Sequence, residues 1–153
     1  MPLVAGLRAV APEALHVTLA FLGWRPLADA EAAGDVLAAR ASPVGVLGWG
    51  GPLWLPRRRP RVLAVALEDP AGALGRVQAA VEAGLAEALA HAPESRPFLP
   101  HVTVARVPRG ARAGGDPPAG PPARRFAVGS LTLYRSHPVA GGARYEPLRR
   151  VTV

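Results

Sequence analysis

The pentapeptide His16-Val17-Thr18-Leu19-Ala20 recurs as His101-Val102-Thr103-Val104-Ala105. Both copies read as strands, in which residues two apart share a face. Each strand therefore offers an imidazole and a hydroxyl side by side, while its valine and Leu19 or Val104 turn to the core. The chain has four His and four Thr, and two of each fall in these copies, which argues against chance. Laid together, the strands would make a floor of two imidazoles and two hydroxyls, the groups that an in-line displacement at phosphorus needs. One imidazole takes a proton from the attacking water and the other gives one to the leaving oxygen, while the hydroxyls bond the non-bridging oxygens. Imidazole suits both roles because its ordinary pKa lies near about 6.5, and each role is typically worth about 10²–10⁴ in rate. No metal and no nucleotide cofactor is required.

Outward from the copies, the pattern is mixed. Leu15–Gly23 reads as the first strand, with Val17, Leu19 and Phe21 on its core face. Leu27–Arg40 reads as an Ala-rich helix, and the Gly-rich stretch Val44–Leu55 as one or two strands carrying Trp49 and Trp54 toward the core. Arg57–Arg61 is a basic turn and Val62–Leu67 a continuously apolar strand. Asp69-Pro70 opens a helix with the apolar face Leu74, Val77, Val81, Leu85 and Leu89, ending near Pro93. Phe98–Val107 is the strand of the second copy. The five Pro and four Gly of Pro108–Pro122 make that stretch a loop or a flap. Arg125–Arg135 and Tyr145–Val153 close the chain as strands, and the whole order predicts an α+β fold.

Composition narrows the chemistry. In 153 residues there is room for one domain's core, half the residues are apolar, and cysteine is absent. That removes disulfides, thiolate nucleophiles and cysteine zinc sites. All 18 basic residues are Arg, so a Walker A loop and a lysine Schiff base are also excluded. The net charge of +7 favours an anionic partner, nucleic acid first, although an Arg-rich compositional bias explains it equally well. The longest uncharged run, Ala41–Pro56, is shorter than the roughly 20 residues of a membrane span. No basic n-region leads into an apolar h-region, so the expected location is the cytoplasm, with no membrane and no obligate protein partner.

With these motifs in hand, the chain resembles the two-histidine (2H) phosphoesterases. The settings His16-Val-Thr-Leu-Ala-Phe-Leu-Gly23 and Phe98-Leu-Pro-His101-Val-Thr-Val-Ala-Arg106 look like the RNA 2′,3′-cyclic phosphodiesterases, formerly called 2′-5′ RNA ligases. Arg61-Val62-Leu63 and Leu133-Tyr134-Arg135-Ser136, with Gly142 and Tyr145, support the match. The resemblance implies two similar α+β lobes of antiparallel-rich sheet with outer helices around a cleft, one motif strand from each. It implies that His16 protonates the departing 3′-oxygen and that His101 accepts the proton of water, leaving a 2′-phosphate. Thr18, Thr103 and Arg106 would bind the phosphate of an RNA end or a cyclic nucleotide. In a regular strand Arg106 faces away from His101, so a bend or bulge is required there. Such proteins usually carry a further strand and helix before the first motif. Only Met1–Gly6 precedes the matching stretch here, so the family's N-terminal strand and helix are expected to be missing from a single domain, 1–153: either the sequence starts late, or Leu3–Val10 must serve as the missing edge strand.

Competing readings stand beside these. A lone His beside a Thr on a strand is more often a satisfied core residue, and the duplication is what reverses that reading. A two-histidine metal site would lack a neighbouring Asp, Glu or Cys to complete it. His91 is expected at a helix C-terminus and His137 in a loop, both structural. Arg57, Arg58, Arg59 and Arg61 suit either an RNA backbone or a solvated turn. Trp24 or Phe98 suits stacking on a base, or packing. Reversible 2′-5′ RNA ligation at the same site is one alternative function. A non-catalytic RNA end-binding module is another, and the presence of both histidines speaks against it.

Overall fold

Among residues 6–153, which the computed structural model describes, regular structure runs β1 (Arg8–Ala9), α1 (Asp29–Arg40), β2 (Val46–Leu55), β3 (Val62–Glu68), α2 (Ala73–Leu89), β4 (His101–Arg106), β5 (Arg125–Ala127), β6 (Ser130–Val139) and β7 (Gly142–Thr152). A single 3-10 turn spans Pro12–Ala14. This is the α+β, antiparallel-rich class expected. The chain divides into two compact units. No helix among the described residues is long and apolar enough to cross a membrane.

The first unit comprises the chain up to Thr18, Gly48–Glu68 and Leu99–Arg125. It holds most of a five-stranded sheet of order β1-β4-β3-β2-β5, in which β3 lies at the centre because its apolar run buries both faces. Leu63, Ala64, Val65 and Leu67 are all buried. On one face Trp54, Leu63 and Ala105 form a core against which Leu7, Val104, Val107 and Ala113 pack. The loop 108–122 is held to this face, since the Trp54 indole N–H donates to the Gly115 carbonyl at 3.1 Å. Gly120 lies so close to Pro52 that a Cβ there would come within 2.8 Å of the ring. At the edge, Arg8 and Ala9 of the expected Leu3–Val10 strand pair with Arg106 and Ala105. The Val10 N–H then donates to the Val104 carbonyl at 2.9 Å, while Leu3–Ala5 lie outside the described residues.

The second unit comprises Leu19–Leu47, Asp69–Phe98 and Phe126–Val153. Helix α2 buries Leu74, Val77, Val81 and Leu85, the spacing of a single helical face. Each such side chain is worth about 1.5–3 kcal/mol when fully buried. Helix α1 buries Ala33, Gly34 and Leu37, and the helices meet where Gly84 leaves no room for a side chain. A Cβ on Gly84 would stand 2.7 Å from Val36 Cγ1. The hairpin β6–β7 turns through Ala140 and Gly141, the latter at φ 84°.

Several boundaries differ from the sequence reading, each for a physical reason. The first strand shrinks to one bridge at Val17, because the Leu19 carbonyl accepts from the Gln78 side-chain amide at 3.2 Å instead of from a ladder partner. Phe21, expected in the core, is 79 % exposed as a result. Helix α2 starts at Ala73, since Asp69–Gly72 closes a turn first. Asp69 still caps it, accepting from the Gly75 N–H at 3.0 Å. Arg125–Arg135 is two strands, broken between Ala127 and Ser130. Trp54 is buried as expected, whereas Trp49 is half-buried.

Candidate active site

The two H-x-T copies lie side by side in the first unit rather than one in each unit. Val17 bridges Val102 in antiparallel sense. That single pairing fixes the rest, because neighbours shift in opposite directions along antiparallel strands. His16 falls opposite Thr103, and Thr18 opposite His101. The four side chains share one face of the sheet, while Val17 and Val102 share the other, where Val102 is 5 % exposed. The two histidines are diagonal neighbours, for which the usual separation is about 7–8 Å.

Each ring is oriented by the same local device. His16 Nδ1 lies 2.8 Å from the Ala14 carbonyl, and His101 Nδ1 lies 2.7 Å from the Leu99 carbonyl, in both cases two residues upstream. A carbonyl oxygen only accepts, so Nδ1 carries the hydrogen and Nε2 becomes the proton-exchanging nitrogen. In the first copy Pro12 opens the 3-10 turn that delivers the Ala14 carbonyl. In the second, Pro100 sits between Leu99 and the ring, and its carbonyl accepts from the Leu67 N–H at 2.9 Å. The sequence repeat is thus a repeat of side-chain orientation as well.

The bulge that the Arg106 position requires is present. Thr103 pairs with Ala64 and Ala105 with Leu63, so Val104 is the extra residue on β4. Beyond it Arg106 pairs with Val62, which shares its face with Ala64 and Ala66. Arg106 therefore stands on the same face as His101 and Thr103, exposed, at the far end of β4. Beside β4, β3 places the methyl groups of Ala64 and Ala66 opposite Thr103 and His101.

The other two histidines are placed elsewhere. His91 does not cap the end of α2 but pairs with Glu82, Nε2 to Oε2 at 3.0 Å, with both side chains 9 % exposed. His137 is in strand β6 rather than a loop, and its Nε2 lies 2.6 Å from Glu146 Oε2. Hydrogen bonding from His137 is the main reason that the Glu146 carboxyl titrates below the usual carboxylate range. Neither pair signals itself in sequence, because both partners are nine positions apart. Trp24 is 97 % exposed and Phe98 half-buried, both in the second unit. Arg57, Arg58, Arg59 and Arg61 are exposed on the β2–β3 turn. No three His, Asp or Glu side chains converge as metal ligands among the described residues.

The model of the 2′-5′ RNA ligase superfamily matches residues 4–139. The chain is 35% identical over 146 residues to the RNA 2′,3′-cyclic phosphodiesterase of Escherichia coli K12, covering 94% of this chain and 78% of that one. It is 33% identical over 140 residues to the RNA 2′,3′-cyclic phosphodiesterase of Geobacillus stearothermophilus, covering 82% of this chain and 41% of that longer one. Among solved structures, E. coli LigT complexed with 3′-AMP superposes with a TM-score of 0.80 at 28% identity, covering 97% of this chain and 82% of that chain.

Proposed function

The chain belongs to the 2′-5′ RNA ligase superfamily of two-histidine phosphoesterases, and from that premise we propose that it opens RNA 2′,3′-cyclic phosphate ends through His16 and His101. It is an enzyme of the RNA 2′,3′-cyclic phosphodiesterase kind. The observation that carries the mechanism is the antiparallel bridge at Val17 and Val102, which sets two identically oriented imidazoles diagonally across one sheet face.

In the proposed step, water attacks phosphorus on the side opposite the 3′-oxygen. The new bond joins water oxygen to phosphorus, and the bond from phosphorus to the 3′-oxygen breaks. His101 Nε2 takes the water's proton, and His16 Nε2 delivers one to the departing 3′-oxygen. The products are a 2′-phosphate and a free 3′-hydroxyl, and the rings exchange protons with solvent to reset. Thr18 and Thr103 donate to the non-bridging oxygens, and Arg106 adds a charge-assisted contact to the same phosphate. No step calls for a metal or a nucleotide.

The test is incubation with 2′,3′-cyclic AMP, and with a short RNA ending in a cyclic phosphate, in excess EDTA. Conversion of both to 2′-phosphate products is expected. A 3′-phosphate product would reverse the assignment of the leaving oxygen. Activity abolished by EDTA and restored by a divalent cation would replace the metal-free mechanism.

A further inference from the structure

The sheet face that bears the histidines carries a second arginine. Arg8 of β1 is the direct cross-strand partner of Arg106 of β4, and paired residues point to the same face. Arg8 therefore shares the face of His16, Thr18, His101 and Thr103. Both arginines are exposed, and no acidic side chain among the described residues pairs with either. Like charges directly opposite on a ladder are destabilising, so this pair does not serve sheet stability. An anion held between or beside the two guanidiniums removes that penalty.

The position of the pair says which anion. On β3, the partner of Thr103 is Ala64 and that of Arg106 is Val62, two residues further along. At about 3.3 Å per residue, the pair lies roughly 7 Å beyond Thr103. A terminal cyclic phosphate bears a single negative charge, and Arg106 already answers it. The Arg61 carbonyl accepts from the Val107 N–H at 2.8 Å, which brings the basic turn Arg57–Arg61 to this same end of the sheet. The positive field thus continues away from the histidines in the direction that Arg8 marks.

We propose that Arg8 binds the phosphodiester that joins the terminal nucleotide to its neighbour, making the site selective for oligoribonucleotide ends over cyclic mononucleotides. This rests on the phosphodiesterase reading above. The guanidinium fork suits two oxygens of one phosphate, which an ammonium does not.

The experiment compares 2′,3′-cyclic AMP with the dinucleotide ApA ending in a 2′,3′-cyclic phosphate, which adds one internal phosphodiester. The quantity read is the ratio of kcat/KM for dinucleotide over mononucleotide, in wild type, Arg8→Ala and Arg8→Lys. A charge-assisted hydrogen bond predicts that Arg8→Ala lowers this ratio about ten- to a hundredfold. Arg8→Lys should fall between the two, and the ratio in wild type should decline as salt rises. An unchanged ratio in Arg8→Ala overturns the proposal, whether both rates fall together or neither falls. Turnover of neither compound by wild type would defeat the functional reading instead. The ratio of equilibrium affinities for the two compounds, wild type against Arg8→Ala, then still decides whether the subsite exists.

Discussion

Replacing either histidine of the repeat by alanine tests the arrangement most directly. In the proposed step each ring supplies one proton transfer, and such a role is worth about 10²–10⁴ in rate. At about 1.36 kcal/mol per decade, the loss is about 2.7–5.4 kcal/mol of transition-state stabilisation for each variant. The fold should survive. Each ring is oriented by a hydrogen bond to the Ala14 or Leu99 carbonyl. Its removal costs about 0.5–1.5 kcal/mol, well below a typical domain stability of about 5–15 kcal/mol. The assay is kcat/KM on 2′,3′-cyclic AMP across pH, with thermal melts confirming a folded chain. Because both rings act in one step, the double variant should lose about as much as the worse single variant, not the product of the two. The base must begin unprotonated and the acid protonated, so the wild-type rate falls on both sides of an optimum. His101→Ala should abolish the fall on the acid side, and His16→Ala the fall on the alkaline side. Loss of the opposite limbs would swap the roles. Activity within tenfold of wild type in either single variant would refute proton transfer by that ring.

Two further tests address the second unit. Gly84→Ala places a methyl 2.7 Å from Val36 Cγ1, which costs about 1–3 kcal/mol of overpacking against about 0.8–1.0 kcal/mol gained in helix propensity. A net loss of up to about 2 kcal/mol in urea unfolding is expected, smaller when Val36→Ala accompanies it, and a stabilised Gly84→Ala would show that the helices yield freely. His137→Ala should return the Glu146 carboxyl toward the ordinary range, since His137 is the main group depressing it. A carboxyl depressed on folding stabilises above its unfolded pKa, and that support is lost as pH falls through its folded value. Carboxyl NMR titration reads the midpoint, and an unmoved midpoint would reject the pairing.

What could be read without coordinates follows from how local each property is. Alternation within a strand is a property of the backbone, so the H-x-T repeat alone placed imidazole and hydroxyl on one face of each copy. The need for a bulge before Arg106 was equally visible, since parity put that residue on the wrong side. The position of the bulge was not, because it is defined by which β3 residue each β4 residue faces, and Val104 becomes the extra residue only against Leu63 and Ala64. Phe21 shows the same boundary. Its apolar character and even spacing marked it for the core, yet Gln78, far along the chain, takes the Leu19 carbonyl and ends the strand before Phe21 is reached.

The sequence by itself determined which groups are available to the proposed chemistry: two imidazoles, two hydroxyls and an arginine, with cysteine and lysine mechanisms excluded. Only the tertiary structure decided that each histidine faces the other copy's threonine, and that Arg8 stands opposite Arg106. The physical reason is that cross-strand register is set by closing the chain over more than eighty residues, through core contacts such as Leu63 on Ala105. Side-chain alternation is decided within two residues, and register only when the whole sheet has assembled.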